Sequence, residues 1–186
     1  MPAEPEGPEG PEGPAGPAGP AESAVVRRVR HADWPQLRAL RLEALADSPL
    51  SFMETLEQAS AMDDAGWQAR AARGAEGGDS FQVLALQAGR AVGTTVCFLR
   101  DDAAWLAAVY VAPPSRGRGV LDRLAARCCA WATGQGAGVL RLHVHERNDR
   151  ARAAYRRLGF ADTGVRTPHP NAPAEWELML ERALPG

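Results

Sequence analysis

Hydrophobic positions along the chain follow two periods that alternate. Val25, Val26 and Val29 mark a short first strand. Leu37, Leu40, Leu42 and Leu45 then recur at helical spacing, with Asp33 as N-cap and Pro35 in the first turn, where a missing N–H costs little. Ser48-Pro49 breaks this helix. Phe52, Met53 and Leu56 fall in a linker or a second helical stretch, and residues 64–73 predict a further short helix stopped by Gly74. After the loop 74–79 the period shortens to two. Phe81, Val83, Leu84 and Leu86, then residues 92–99, then residues 105–111 predict three strands. The turns Ala88-Gly89-Arg90 and Asp101-Asp102 join them as an antiparallel meander.

The second half returns to the helical period. Val120, Leu121, Leu124, Cys128 and Trp131 share one helix face, and the cluster Gly134 to Gly138 ends that helix. Residues 139–144 predict a strand with Leu140, Leu142 and Val144 on one face. Asn148 or Asp149 caps a helix carrying Ala151, Ala154, Tyr155 and Leu158, and Gly159 is its natural stop. Residues 160–165 and 176–180 predict two closing strands joined by a proline-rich loop around Pro168, Pro170 and Pro173. Strand, helix and strand across residues 105–144 imply a right-handed parallel crossover. The expected fold is α+β (α/β): a mixed, mostly antiparallel sheet of six or seven strands with one parallel βαβ crossover and flanking helices.

The first 23 residues follow a different rule. Gly7, Gly10, Gly13, Gly16 and Gly19 are each followed by Pro, a collagen-like period that is too short for a stable triple helix. Residues 1–23 are expected to be a disordered Gly-Pro-Glu/Ala tail, leaving residues 24–186 as one domain. A formal net charge of -2 gives no support for nucleic-acid binding. No apolar run approaches the roughly 20 residues that span a bilayer, and the N-terminus lacks a secretory h-region, so a cytoplasmic protein is expected. The three cysteines, Cys97, Cys128 and Cys129, form no disulfide framework and read as small buried apolar residues.

The chemistry concentrates at one strand-to-helix junction, Val109-Tyr110-Val111 running into Arg116-Gly117-Arg118-Gly119-Val120-Leu121. The first N–H groups of a helix have no intrahelical partners, and the helix dipole favours negative charge there. Gly117 and Gly119 allow a phosphate to approach the backbone, and Arg116 and Arg118 add positive charge. By itself the segment is equally compatible with a plain tight turn. The second glycine cluster follows a helix instead of preceding one, the wrong order for a phosphate cradle.

Val111-Ala112-Pro113 followed by Arg116-Gly117-Arg118-Gly119 resembles the acetyl-CoA motif of the GNAT superfamily of N-acetyltransferases. Arg116 and Gly119 match its pattern Gln/Arg-x-x-Gly-x-Gly/Ala, and Leu121 stands where the last small residue is expected. About thirty residues on, Asn148-x-x-Ala151-x-x-x-Tyr155-x-x-x-Gly159-Phe160 resembles the family's second signature. The resemblance implies that the strands flanking the crossover helix splay apart. The pantetheine arm of acetyl-CoA, a co-substrate, would lie in that gap along Val109, Tyr110 and Val111. The pyrophosphate would sit on the amides of residues 116–121: Arg116, Gly117, Arg118, Gly119, Val120 and Leu121. Asn148 would contact the pantetheine or orient the site, and Tyr155 would protonate the departing thiolate as the catalytic residue. Tyr155 is also compatible with a packed core tyrosine.

Many members of that family carry a Glu on the strand before the glycine loop, whereas residues 103–108 contain no carboxylate. Substitute proton acceptors are Glu54, His143, His145, Glu146 and Glu175. His143 and His145 share a strand face, a conceivable H-x-H metal pair with no third ligand in view, and no metal is expected. Five arginines surround the Asn148 helix; they read as a solvated face from which one reaches the CoA 3′-phosphate. Trp34, Phe52, Trp67 and Trp176 could line an acceptor pocket or pack the core. The expected activity is acetyl transfer to a primary amine of a small molecule or peptide. Protein N-terminal or Lys acetylation is an alternative, as is an acyl-CoA-binding sensor without catalysis. A homodimer is compatible with the sequence.

Overall fold

A computed structural model describes residues 23–185, so the expected tail, residues 1–23, lies outside the described residues except for its last position. Seven strands form one sheet in the order β1-β2-β3-β4-β5-β7-β6. They are β1 (Val25–Arg28), β2 (Ser80–Gln87), β3 (Arg90–Arg100), β4 (Ala103–Val111), β5 (Val139–His145), β6 (Ala161–His169) and β7 (Ala172–Ala183). The helices are α1 (Trp34–Asp47), α2 (Leu56–Ala61), α3 (Asp64–Glu76), α4 (Val120–Gly134) and α5 (Asp149–Arg157). Strands β2 to β4 form the expected antiparallel meander, β1 pairs antiparallel with β2, and β4 and β5 make the parallel pair joined across α4.

Each face of the sheet buries its own core, because successive strand residues point to opposite sides. Phe81, Val83 and Ala85 of β2 and Leu140, Leu142 and Val144 of β5 pack with Leu124 and Cys128 of α4 and Tyr155 of α5. Leu84 and Tyr110 pack on the other face against Leu37, Leu40 and Leu45 of α1 and Trp67 of α3. Cys97 and Cys128 are fully buried and free, as their apolar setting requires.

Three local expectations are corrected. Asp33 precedes α1 but makes no side-chain cap there. Its carboxylate instead accepts both guanidinium nitrogens of Arg27 at 2.6 and 2.8 Å and the Arg30 amide at 2.7 Å, which fixes the end of β1. Gly74 does not stop its helix. The helix α3 continues to Glu76, and Gly74 allows close packing: an added Cβ would lie 2.6 Å from Cβ of Gln82. The side chain of Arg28 then closes α3 by donating to the carbonyls of Gly74, Gly77 and Ser80.

The closing strands are longer than their apolar cores, and no proline-rich loop separates them. β6 runs through Pro168 to His169, and β7 begins at Ala172. An edge strand tolerates Pro because one side has no ladder to supply. Pro173 lies in the part of β7 that extends past β5, whose ladder with β7 begins at His145 and Glu177.

Candidate active site

The site begins with a defect in β4. Thr94 pairs with Tyr110 and Val96 with Ala107, so Thr95 alone opposes two residues. Ala108 takes up the extra length at φ 50°, a conformation costly for a residue with a Cβ. The hydroxyl of Thr95 donates to the Ala107 carbonyl at 3.0 Å and helps to hold this bulge. Beside it, β4 and β5 pair only through Ala104 with Leu140 and Trp105 with Arg141. Beyond those pairs the strands diverge around a cavity of about 490 Å³, lined on one wall by residues 106–111 of β4. The backbone groups of that wall have no ladder on the β5 side, so an extended polar ligand could pair with them.

The cavity opens onto the glycine loop. Gly117 and Gly119 have φ of 72° and 71°, and nothing lies within 4 Å of a Cβ added at either. Backbone conformation, not space, therefore selects glycine at both. Gly119 is the N-cap of α4 and supplies no side-chain cap. Gly117, Gly119, Val120 and Leu121 line the cavity, and the unpaired amides at the start of α4 form an anion cradle there. Val109, Tyr110 and Val111 line it too, although the Tyr110 hydroxyl donates to Glu43 of α1 at 3.1 Å.

The side chains of the two loop arginines differ in placement. Arg118 is exposed and lies away from the cavity wall. Arg116 lines the cavity, but its Nε donates to the Val111 carbonyl at 2.9 Å and its NH2 to Asp47 at 2.5 Å. Arg116 thus fastens the loop to β4 and α1, and Asp47 offsets its charge. Two other cations, missed by the motif, face the cavity: Arg150 and Arg157 of α5. Arg157 pairs with Asp122, whereas Arg150 is exposed and has no ion pair among the described residues.

Asn148 caps α5 as expected, its Oδ1 accepting from the Ala151 amide at 3.1 Å. Its Nδ2 donates to Ser51 at 3.1 Å, joining α5 to the turn Pro49–Ser51 that precedes Phe52. About two helical turns on, Tyr155 packs edge-on against Phe160 with centroids 5.8 Å apart and lines the cavity. Burial alone pushes its hydroxyl well above the usual tyrosine range. Among the described residues that hydroxyl has no hydrogen-bond partner, unlike a core tyrosine whose hydroxyl is satisfied by backbone.

Phe52, His143 and His145 also line the cavity. The His143 ring packs against Trp105 at 5.2 Å, and burial lowers its pKa from the ordinary histidine value. His145 is almost wholly buried, and its pKa is lowered first by burial, then by His169 and Arg147. Its Nδ1 accepts from the Arg147 amide at 3.2 Å, which assigns the proton of the neutral ring to Nε2, 3.5 Å from Glu175. Glu54 lies off the cavity, bound by Arg41 at 2.8 Å and by both guanidinium nitrogens of Arg70. Those arginines hold its pKa below the usual carboxylate value although burial opposes them. Glu146 is paired with Arg166, and Glu175 with Arg147. Trp67 is core, and Trp176 is partly exposed on β7. No group of three or more His, Cys, Asp or Glu among the described residues is arranged to hold a metal ion.

A sequence model of the family described as Acetyltransferase (GNAT) family matches residues 37–160. No curated protein matches the chain in sequence. The fold is similar to that of yncA, a putative acetyltransferase from Salmonella typhimurium solved with its cofactor acetyl-CoA. The TM-score is 0.72 at 17% identity, covering 89% of this chain and 96% of that one. It is likewise similar to the paia N-acetyltransferase from Thermoplasma acidophilum, solved in complex with coenzyme A, with TM-score 0.70, 15% identity and coverages of 87% and 99%. A nourseothricin acetyltransferase is similar at 29% identity over 58% of this chain and 67% of its own, with TM-score 0.55.

Proposed function

The chain belongs to the GNAT acetyltransferase family, and from that premise we propose that it transfers an acetyl group from acetyl-CoA to a primary amine of a small molecule or peptide, with Tyr155 as general acid. The observation that carries this reading is the divergence of β4 and β5 into one cavity that contains both the glycine loop and Tyr155. The residues present fit acetyl-CoA. The amides of residues 117–121 would hold the pyrophosphate, that of Arg116 being donated to the Pro113 carbonyl, and Arg150 would hold a further phosphate. The free edge of Val109, Tyr110 and Val111 would pair with the pantetheine amides. Asn148 would act mainly by keeping α5 and the Pro49–Ser51 turn together, through the two bonds described above.

In the transfer itself the amine nitrogen bonds to the acetyl carbon and the carbon–sulfur bond breaks, leaving its electron pair on sulfur. A thiol of ordinary pKa about 8.5 leaves as a thiolate unless a proton is supplied. Tyr155 remains protonated throughout the neutral range because burial disfavours tyrosinate, so its hydroxyl is available to donate as charge develops on sulfur. A hydroxyl free of protein partners can turn toward that sulfur without breaking a bond in the resting enzyme.

The test combines calorimetric titration of acetyl-CoA with release of free thiol over a panel of amines. Binding with amine-dependent thiol release is expected. Binding without turnover on any amine would instead support the acyl-CoA sensor.

A further inference from the structure

The chain lacks a carboxylate on the β4 wall, and we propose that His143 is the catalytic base, taking the proton from the attacking amine. This inference rests on the acetyltransferase reading above. His143 lies on β5 and lines the same cavity as the β4 wall and Tyr155. It stands two residues beyond Arg141, the last β5 residue paired with β4, while Ala107, in the stretch that has no acid, stands two residues beyond that pair's Trp105.

The other candidates are committed elsewhere. Glu54 is locked by two arginines away from the cavity, and Glu146 and Glu175 are held in ion pairs. His145 reaches the cavity, but its lone pair at Nδ1 is occupied by the Arg147 amide. The ring of His143 forms no hydrogen bond among the described residues, which leaves a lone pair for an incoming proton. Trp105 packs against that ring and fixes its plane, and Arg100 in turn lies 4.1 Å over the Trp105 ring. The charged groups that act on His143 are Glu177 of β7, which favours the imidazolium, and Arg100 of β3, which opposes it. With burial as the largest influence, the ring is neutral at pH 7 and able to accept.

The need for such a group depends on the amine. An alkylamine of pKa about 10.4 is neutral in only about 1 of 2,500 molecules at pH 7, equivalent to roughly 4.6 kcal/mol. The ammonium gives one proton to His143, which passes it to solvent, and the free amine attacks. The proton remaining on nitrogen after the attack restores the one that Tyr155 gives to sulfur. One proton is released per acetyl group transferred. The acceptor class that gains most is therefore the primary alkylamine, with an arylamine, already neutral, gaining least.

The experiment compares the wild-type chain with His143→Ala and His143→Gln, using acetyl-CoA with an alkylamine and with an arylamine. We expect kcat for the alkylamine to fall about 100-fold or more, the range of general base catalysis. Acetyl-CoA affinity should stay within about two-fold, and arylamine turnover should fall far less. The wild-type rate should drop as pH falls through the His143 pKa, below 6.5. In His143→Ala the rate should instead keep rising toward the amine's own pKa, and added imidazole should restore part of it. Retained alkylamine turnover, equal losses on both amines or an unchanged acid limb would overturn the assignment. Failure of the wild-type chain to release thiol with any amine would overturn the acetyltransferase reading and this one with it. Unaltered acetyl-CoA binding in both variants shows that any loss is not one of folding.

Discussion

The guanidinium of Arg116 donates to the carboxylate of Asp47 at 2.5 Å, linking the glycine loop to the end of α1 across 69 positions of sequence. The pair places an anion beside a loop suited to phosphate. Arg116 in turn holds the Asp47 carboxyl below its ordinary pKa. Asp47→Asn should free the Arg116 charge and tighten coenzyme A binding by roughly 1 kcal/mol, about five-fold, at low ionic strength. Calorimetry at two salt concentrations checks this. The gain should shrink as salt rises, because the site is partly exposed.

The same pair contributes to pH dependence. A carboxyl with a lowered folded-state pKa adds stability above its unfolded value, near 3.8, and loses it as pH falls through the folded value. Asp33, held down chiefly by its hydrogen bonds from Arg27, acts in the same direction. Melting temperature should therefore decline as pH falls below about 4, and Asp33→Asn should flatten that decline. A variant that keeps the full wild-type slope would show that Asp33 contributes nothing to it.

Gly119 offers a clean separation of backbone from space. Its φ is 71° and an added Cβ meets nothing. Gly119→Ala should cost about 1–2 kcal/mol of stability through the left-handed conformation alone. Gly119→Asn should recover part of this, because Asn tolerates that region better than Ala. Chemical denaturation measures both. Gly74→Ala works by the opposite cause: its φ is ordinary, but the Cβ would collide with Gln82. Its cost should be of the order of 1–3 kcal/mol; most of it should persist with Gln82→Ala, which keeps the Cβ it meets, and ease with Gln82→Gly.

These contrasts indicate which features the sequence carries locally. The meander, the crossover, the Asn148 cap and the Gly159 stop all depend on residues within one turn or strand of one another, so periodicity and glycine placement reveal them. At Gly159, for example, φ is 86° and the next amide returns to Tyr155. The bulge at Ala108 has no such mark: alanine in a run of apolar residues predicts a plain strand. A contact that holds it comes from Thr95 on another strand, and it accompanies the parting of β4 from β5. Gly74 misleads for a similar reason, since its purpose is the approach of β2. The candidate bases could be enumerated from sequence but not sorted, because Arg41, Arg70, Arg147 and Arg166 reach their carboxylates through tertiary contacts.

Tyr155→Phe should leave the fold nearly unchanged, because among the described residues the lost hydroxyl bonds to nothing. Its melting temperature should lie within a few degrees of the parent. A large drop would mean that the hydroxyl serves the core.

The acetyltransferase account stands most directly on amine-dependent release of thiol from acetyl-CoA by the wild-type chain and by Tyr155→Phe, measured together with acetyl-CoA affinity. The account predicts thiol release that requires an amine, a fall in kcat of about 100-fold in the variant and a dissociation constant within about two-fold of wild type. Equal kcat in the two proteins, or no release with any amine, would contradict it.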